Sequence, residues 1–142
     1  MLGRLADIML IEDNDDHVEL IRQTLEEKRV ANSIVHFDNA EAALSYLNRS
    51  GGETTSIVLL DLNLPGMSGH DLLKVIKEDE RLKSIPVVIL TTSAGESDRV
   101  AAYKHYVNSY LIKPIDAGQF EKMVSDLGLY WGLWNKLEKD PN

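Results

Sequence analysis

A chain of 142 residues with 44% hydrophobic content is the size of one ordinary domain and carries enough apolar side chain for a single buried core. Its formal charge of −8 argues against nucleic acid as a partner, because phosphate backbones are held by basic patches, and no apolar run is long enough to span a membrane. The absence of cysteine excludes disulfides and thiolate chemistry, and "MLGRLADIML" lacks the pattern of a secretion signal, so the expected compartment is the cytoplasm.

In chain order, "IMLI" (8–11) reads as a strand that runs straight into Glu12, Asp13, Asp15 and Asp16. Val18, Ile21 and Leu25 then recur at helical spacing. "SIVHF" (33–37) is a second strand, followed by a helix on Ala42, Ala43, Tyr46 and Leu47. "SIVLL" (56–60) ends at Asp61, and the turn "LNLPGMSG" leads, with Ser68 as a possible cap, into a helix on Leu72, Leu73 and Ile76. "PVVIL" (86–90) starts on a proline, which a strand start tolerates, and ends before Thr91. Val100, Tyr103 and Val107 have helical spacing, "SYLI" (109–112) precedes Lys113, and "DAGQFEKMVSDL" reads as the fifth helix.

Near-continuous apolar strands alternating with helices predict an α/β domain, a doubly wound parallel sheet of flavodoxin-like (βα)5 type with strand order 2-1-3-4-5. Residues 1–142 form one domain in this reading, with 128–142 as a C-terminal extension. Phe120, Met123, Leu127, Trp131 and Trp134 step by three or four, so the last helix is expected to continue despite Gly128 and Gly132. Both tryptophans lie in that extension. They either fold back on the core or mark an interface, and large aromatics beyond a complete fold favour an interface.

Ligand sites in such sheets lie beyond the carboxyl ends of the strands, where strand order reverses. Glu12 and Asp13 follow the first strand, Asp61 the third, Thr91 the fourth and Lys113 the fifth. Strands one and three are neighbours about 4.8 Å apart in that order, which brings the acids together. Carboxylates that close repel one another unless a cation neutralises them, and an all-oxygen site suits Mg²⁺, with the main-chain carbonyl of Asn63 as a further ligand. Such a cation bridges a phosphoryl group and lets a carboxylate attack phosphorus; Asp61 is the best-placed nucleophile, with the Lys113 ammonium and Thr91 hydroxyl directed at the phosphate oxygens.

The stretches "IEDNDD", "LLDLNLPGMSGHDLL", "IPVVILTTSAGESD" and "NSYLIKPID" resemble, in order and over essentially the whole chain, the CheY-like receiver domain of bacterial two-component response regulators. The resemblance implies that Asp61 accepts phosphate from a sensor histidine kinase, that Glu12, Asp13 and the Asn63 carbonyl serve the Mg²⁺ site, and that Thr91 and Lys113 sense the phosphate. It implies too that Tyr110 is the switch aromatic, entering space vacated by Thr91, and that the Lys113-Pro114 bond is cis. With its C-terminal extension, the chain resembles the stand-alone regulators paired with bacterial phytochromes. That subgroup implies a homodimer through the helix 4, strand 5 and helix 5 face, with Phe120, Trp131 and Trp134 at the interface.

Two other classes stay open on the residues alone. A metal-dependent phosphatase would share the chemistry but needs a second catalytic aspartate and a covering cap, and Asn63 stands where one might sit. A flavodoxin-like cofactor binder would share the fold, yet "EDNDD" repels phosphate where a hydroxyl- and glycine-rich loop is wanted. The acids after the first strand are also good helix N-terminal residues, with Asp13 or Asn14 as cap. His17, His36, His70 and His105 share no metal-ligand spacing and read as surface or partly satisfied residues.

Overall fold

The computed structural model describes residues 7–28 and 30–126. Five parallel strands form one sheet in the order β2-β1-β3-β4-β5. They are β1 (Asp7–Ile11), β2 (Ile34–Phe37), β3 (Thr55–Leu60), β4 (Val87–Thr91) and β5 (Ser109–Ile112). The connecting helices are α1 (Asp15–Glu27), α2 (Ala40–Tyr46), α3 (Gly69–Glu78), α4 (Glu96–Lys104) and α5 (Ala117–Asp126). A π-helical turn at Leu47–Gly51 and a short turn at Gly52–Thr54 carry α2 into β3.

Strand residues alternate between faces, so each apolar strand feeds two cores. Met9, Ile11, Val58, Leu60, Val87 and Ile89 pack on one side with Leu72, Leu73 and Ile76 of α3. Ile8, Leu10, Ile57, Leu59, Val88 and Leu90 pack on the other with Val18, Ile21 and Leu25 of α1 and Met123 of α5. Burial on both faces explains why β1, β3 and β4 read as unbroken apolar runs rather than alternating ones. β2 is an edge strand and is only half-buried.

Two expectations about packing are corrected. Phe120 is 3% exposed and sits in the α1/α5 core, so its ring is committed inside the chain and not to an interface. Two members of the stripe expected on the fourth helix point outward, Val100 and Tyr103 being 53% and 51% exposed, while Val107, just beyond α4, is buried in the core, as is Ala102 within the helix. Helical spacing identifies a face but not which side of it the sheet occupies, and a single small residue allows α4 to lie close. Trp131, Trp134 and the continuation of the last helix lie outside the described residues.

Candidate functional site

β1 and β3 are adjacent in register, with Ile11 opposite Leu60, so the residues following them leave the sheet side by side. Backbone bonds hold both exits: the Asp61 N–H donates to the Ile11 carbonyl at 3.0 Å, and the Glu12 N–H to the Phe37 carbonyl at 3.0 Å. The result is an acidic cluster in which ligand atoms of Glu12, Asp13 and Asp61 lie within 4.8 Å of one another. Glu12 and Asp61 are buried, and Asp13 is exposed. The donors are all carboxylate oxygens, which fits a hard cation such as Mg²⁺ and not a thiolate- or imidazole-seeking one.

Helix α1 begins immediately beyond, capped by Asn14, whose side-chain oxygen accepts from the N–H groups of Asp16 and His17 at 2.9 and 3.1 Å. The cap is therefore Asn14, and Glu12 and Asp13 stay free of that duty. The Asn14 N–H donates to Glu12 Oε2 at 3.2 Å.

Lys113, at the end of β5, completes the group. Its side chain is 8% exposed, donates to Glu12 Oε1 and lies 3.6 Å from Asp61 Oδ2. Burial holds the Glu12 carboxyl above its usual range; the Lys113 hydrogen bond works against that, and the Asp61 charge adds to it. The Lys113-Pro114 peptide is cis. Asn63 is exposed in the turn after β3 and donates its N–H to Asp61 Oδ1 at 3.3 Å.

Two histidines with no metal-ligand spacing to mark them in the sequence belong here. His36 Nε2 lies 2.8 Å from the Glu12 carbonyl, which only accepts, so that nitrogen carries the proton. His17 Nδ1 lies 2.9 Å from Lys113 Nζ. A pocket of about 390 Å³ between α1 and the segment after β5 opens beside this pair, its walls including His17, Leu20, Thr24, Lys113 and Pro114.

Thr91 is fully buried, and its hydroxyl oxygen accepts from the Ser93 N–H at 3.2 Å. The Tyr110 hydroxyl donates to the Ser93 carbonyl at 3.1 Å, and the Arg99 guanidinium sits 5.2 Å over its ring. Tyr110 is thus already buried in the unphosphorylated chain. Thr91 and Tyr110 are joined through the Ser93 backbone, whose N–H reaches the one and whose carbonyl reaches the other.

Ser93 is itself clasped. Its hydroxyl donates to Asp98 Oδ2 at 2.6 Å, and His70 Nε2, from the first turn of α3, lies 3.2 Å from Asp98 Oδ1. The Ser93 bond, then the His70 contact, hold the Asp98 carboxyl below its ordinary value of 3.8. Its stabilising effect is therefore present above 3.8 and disappears as pH falls through the lower folded value. Asp98→Asn is expected to lower stability by under about 1 kcal/mol at neutral pH, given its exposure, with no difference from wild type in strong acid. Urea unfolding at the two pH values reads this directly; a gap that persists in acid would refute it.

The strand order, with an acidic pocket at its switch point, defines a CheY-like α/β domain. Residues 8–125 match the response regulator receiver domain, and the chain belongs to that family. It is 42% identical over 132 residues to the probable methanogenesis regulatory protein FilR2 of Methanothrix harundinacea, covering 91% of this chain and 85% of that one. It is 35% identical over 128 residues to the response regulator Rcp1 of a Synechocystis species, covering 87% of each chain. The structure of the bacteriophytochrome response regulator AtBRR superposes with a TM-score of 0.82 at 38% identity, covering 94% of this chain and all of the other. A Mn²⁺-bound form of Rcp1 superposes at 0.72 with 34% identity, over 89% of this chain and 94% of that one. Receiver domains are signalling domains that accept phosphoryl groups from histidine kinases and bind Mg²⁺ at an acidic pocket. Among the described residues no helix is long and apolar enough to cross a membrane.

Proposed function

We propose that this chain takes a phosphoryl group from the phosphohistidine of a sensor histidine kinase onto Asp61 and signals through altered association. The observation that carries the proposal is the placement of Asp61, buried at the end of β3 within one acidic cluster with Glu12 and Asp13, and 3.6 Å from the Lys113 ammonium. Glu12, Asp13, Asp61 and the Asn63 carbonyl are the residues that would hold Mg²⁺. Bound there, the ion offsets the charge of carboxylates and phosphoryl oxygens that would otherwise repel.

An Asp61 oxygen attacks phosphorus, the P–N bond to the donor imidazole breaks, and the departing imidazole keeps the bonding pair and takes a proton. Lys113 follows the new negative charge, and the Thr91 hydroxyl donates to a phosphoryl oxygen. Because Ser93 hangs from Thr91 and holds the Tyr110 hydroxyl, this shift reaches the α4/β5 surface. That surface carries exposed Val100, Tyr103 and Tyr106, which supports a second copy of the chain as the responding partner. Similarity to the bacteriophytochrome response regulator AtBRR supports a phytochrome kinase as the donor's source.

The test is intact mass after incubation with acetyl phosphate. One phosphoryl adduct is expected with Mg²⁺, none without it, and none in Asp61→Asn. An adduct that survives in Asp61→Asn would place the acceptor elsewhere, and steady release of phosphate from small phosphoesters would favour a phosphatase instead.

A further inference from the structure

We infer that His17 is a positioning residue for phosphoryl transfer, a neutral acceptor that holds the Lys113 ammonium over Asp61 when Glu12 turns to a cation. The inference rests on the proposed function and deepens it.

An ammonium group has three protons and no lone pair, so His17 Nδ1, at 2.9 Å from Lys113 Nζ, accepts. That fixes the imidazole as the neutral Nε2–H tautomer. The backbone is held for this purpose: the Asn14 cap takes the His17 N–H at 3.1 Å and makes His17 the third residue of α1. Helical side chains lean toward the N-terminus, so the ring reaches back over the end of β1 to the carboxylate cluster. It also lies 3.6 Å from Glu12 Oε2 and is 32% exposed, on the rim between the buried acids and the pocket beside α1.

Glu12 has two competing duties. Its Oε1 accepts from Lys113, and its carboxylate offers an oxygen to the cluster suited to a divalent cation. A carboxylate shared with a cation binds the ammonium less well, whereas imidazole is a poor ligand for a hard ion and stays with the lysine. Asp61 Oδ2, at 3.6 Å, is beyond hydrogen-bond range of Lys113 before phosphorylation. His17 is then the acceptor that keeps a buried, flexible side chain in place until the phosphoryl oxygens arrive. Without it Lys113 has the room of the adjoining pocket in which to stray.

The experiment combines a spectrum with rates. Imidazole ¹⁵N NMR of the unphosphorylated, metal-free wild type is expected to show His17 with a bare Nδ1 and a protonated Nε2. Phosphorylation by acetyl phosphate at saturating Mg²⁺ is expected to slow by about tenfold in His17→Ala, the loss of one bond to a buried charge. His17→Asn, which keeps an acceptor near the Nδ1 position, is expected to restore most of the rate, and calorimetry is expected to show the same Mg²⁺ affinity in all three proteins. An Nδ1–H tautomer, or wild-type rates in His17→Ala, would overturn the inference while leaving Asp61 as acceptor. Failure of His17→Asn to rescue a folded protein would reduce His17 to a structural role. A wild-type protein that takes no phosphoryl group at all would overturn both readings together.

Discussion

Gly69→Ala is expected to destabilise the chain by about 3 kcal/mol, lowering the melting temperature by roughly 10 °C, and to slow phosphoryl acceptance at Asp61 far more than its distance from the carboxylate suggests. A Cβ on Gly69 would lie 2.3 Å from the Asp61 carbonyl oxygen and 2.7 Å from the Leu62 Cα. Both obstacles are backbone atoms, so no side chain can swing aside. The Gly69 N–H also donates to the Leu62 carbonyl at 3.1 Å, tying the start of α3 to the chain just beyond the acceptor. Accommodation requires α3 to retreat from the sheet or the Asp61 segment to shift. Misplacing a reacting group by about 1 Å can cost a hundredfold in rate. Thermal unfolding and the acetyl phosphate rate, measured on one preparation, separate the two effects. An unchanged melting temperature would show that α3 does not bear on the Asp61 turn as closely as these distances require.

Adding Mg²⁺ at a hundred times its dissociation constant is expected to raise the stability of the wild type by about 2.7 kcal/mol. Asp13→Asn is expected to remove most of that gain and to raise the stability of the metal-free protein by about 1 kcal/mol. The reason is the same in both cases: three carboxylates are gathered within 4.8 Å, and either an ion or a lost charge relieves them. The pH dependence has a definite sign. Below the ordinary value of 4.5, Glu12 is protonated in the folded and unfolded chain alike, and its burial carries no charge penalty. As pH rises through its elevated folded value, the native state must bury the ionised group, and stability falls. Glu12→Gln is therefore expected to flatten this part of the curve in metal-free protein. Equal Mg²⁺ stabilisation of wild type and Asp13→Asn would place the ion somewhere other than this pocket.

The layered fold and the candidate chemistry are legible in the order of the residues. Five apolar runs fall within one or two residues of β1 to β5, and the signature is clearest for β1, β3 and β4, which are buried on both faces. Glu12, Asp13, Asp61 and Lys113, which the structure gathers into one cluster, were legible because each lies just past a strand end, and the switch-point rule converts that position into a shared site. Ser68 was legible as a cap, and its hydroxyl accepts from the Asp71 N–H at 3.1 Å. These features are local, or follow from the strand order alone.

Which neighbour each polar side chain meets depends instead on how the elements pack. His17 and Lys113 stand 96 residues apart, and nothing in the spacing of either says that one accepts from the other. The same holds for His36 at the Glu12 carbonyl and for His70 at Asp98, both bonds between separate elements. Packing direction was equally undecided by periodicity: Phe120 turned inward and Tyr103 outward, although both lie on helices with apolar spacing. The physical reason is common to all of them. Hydrophobic periodicity reports that a residue has a buried side, whereas a hydrogen bond depends on ångström-scale placement of two elements that only the packed sheet brings together.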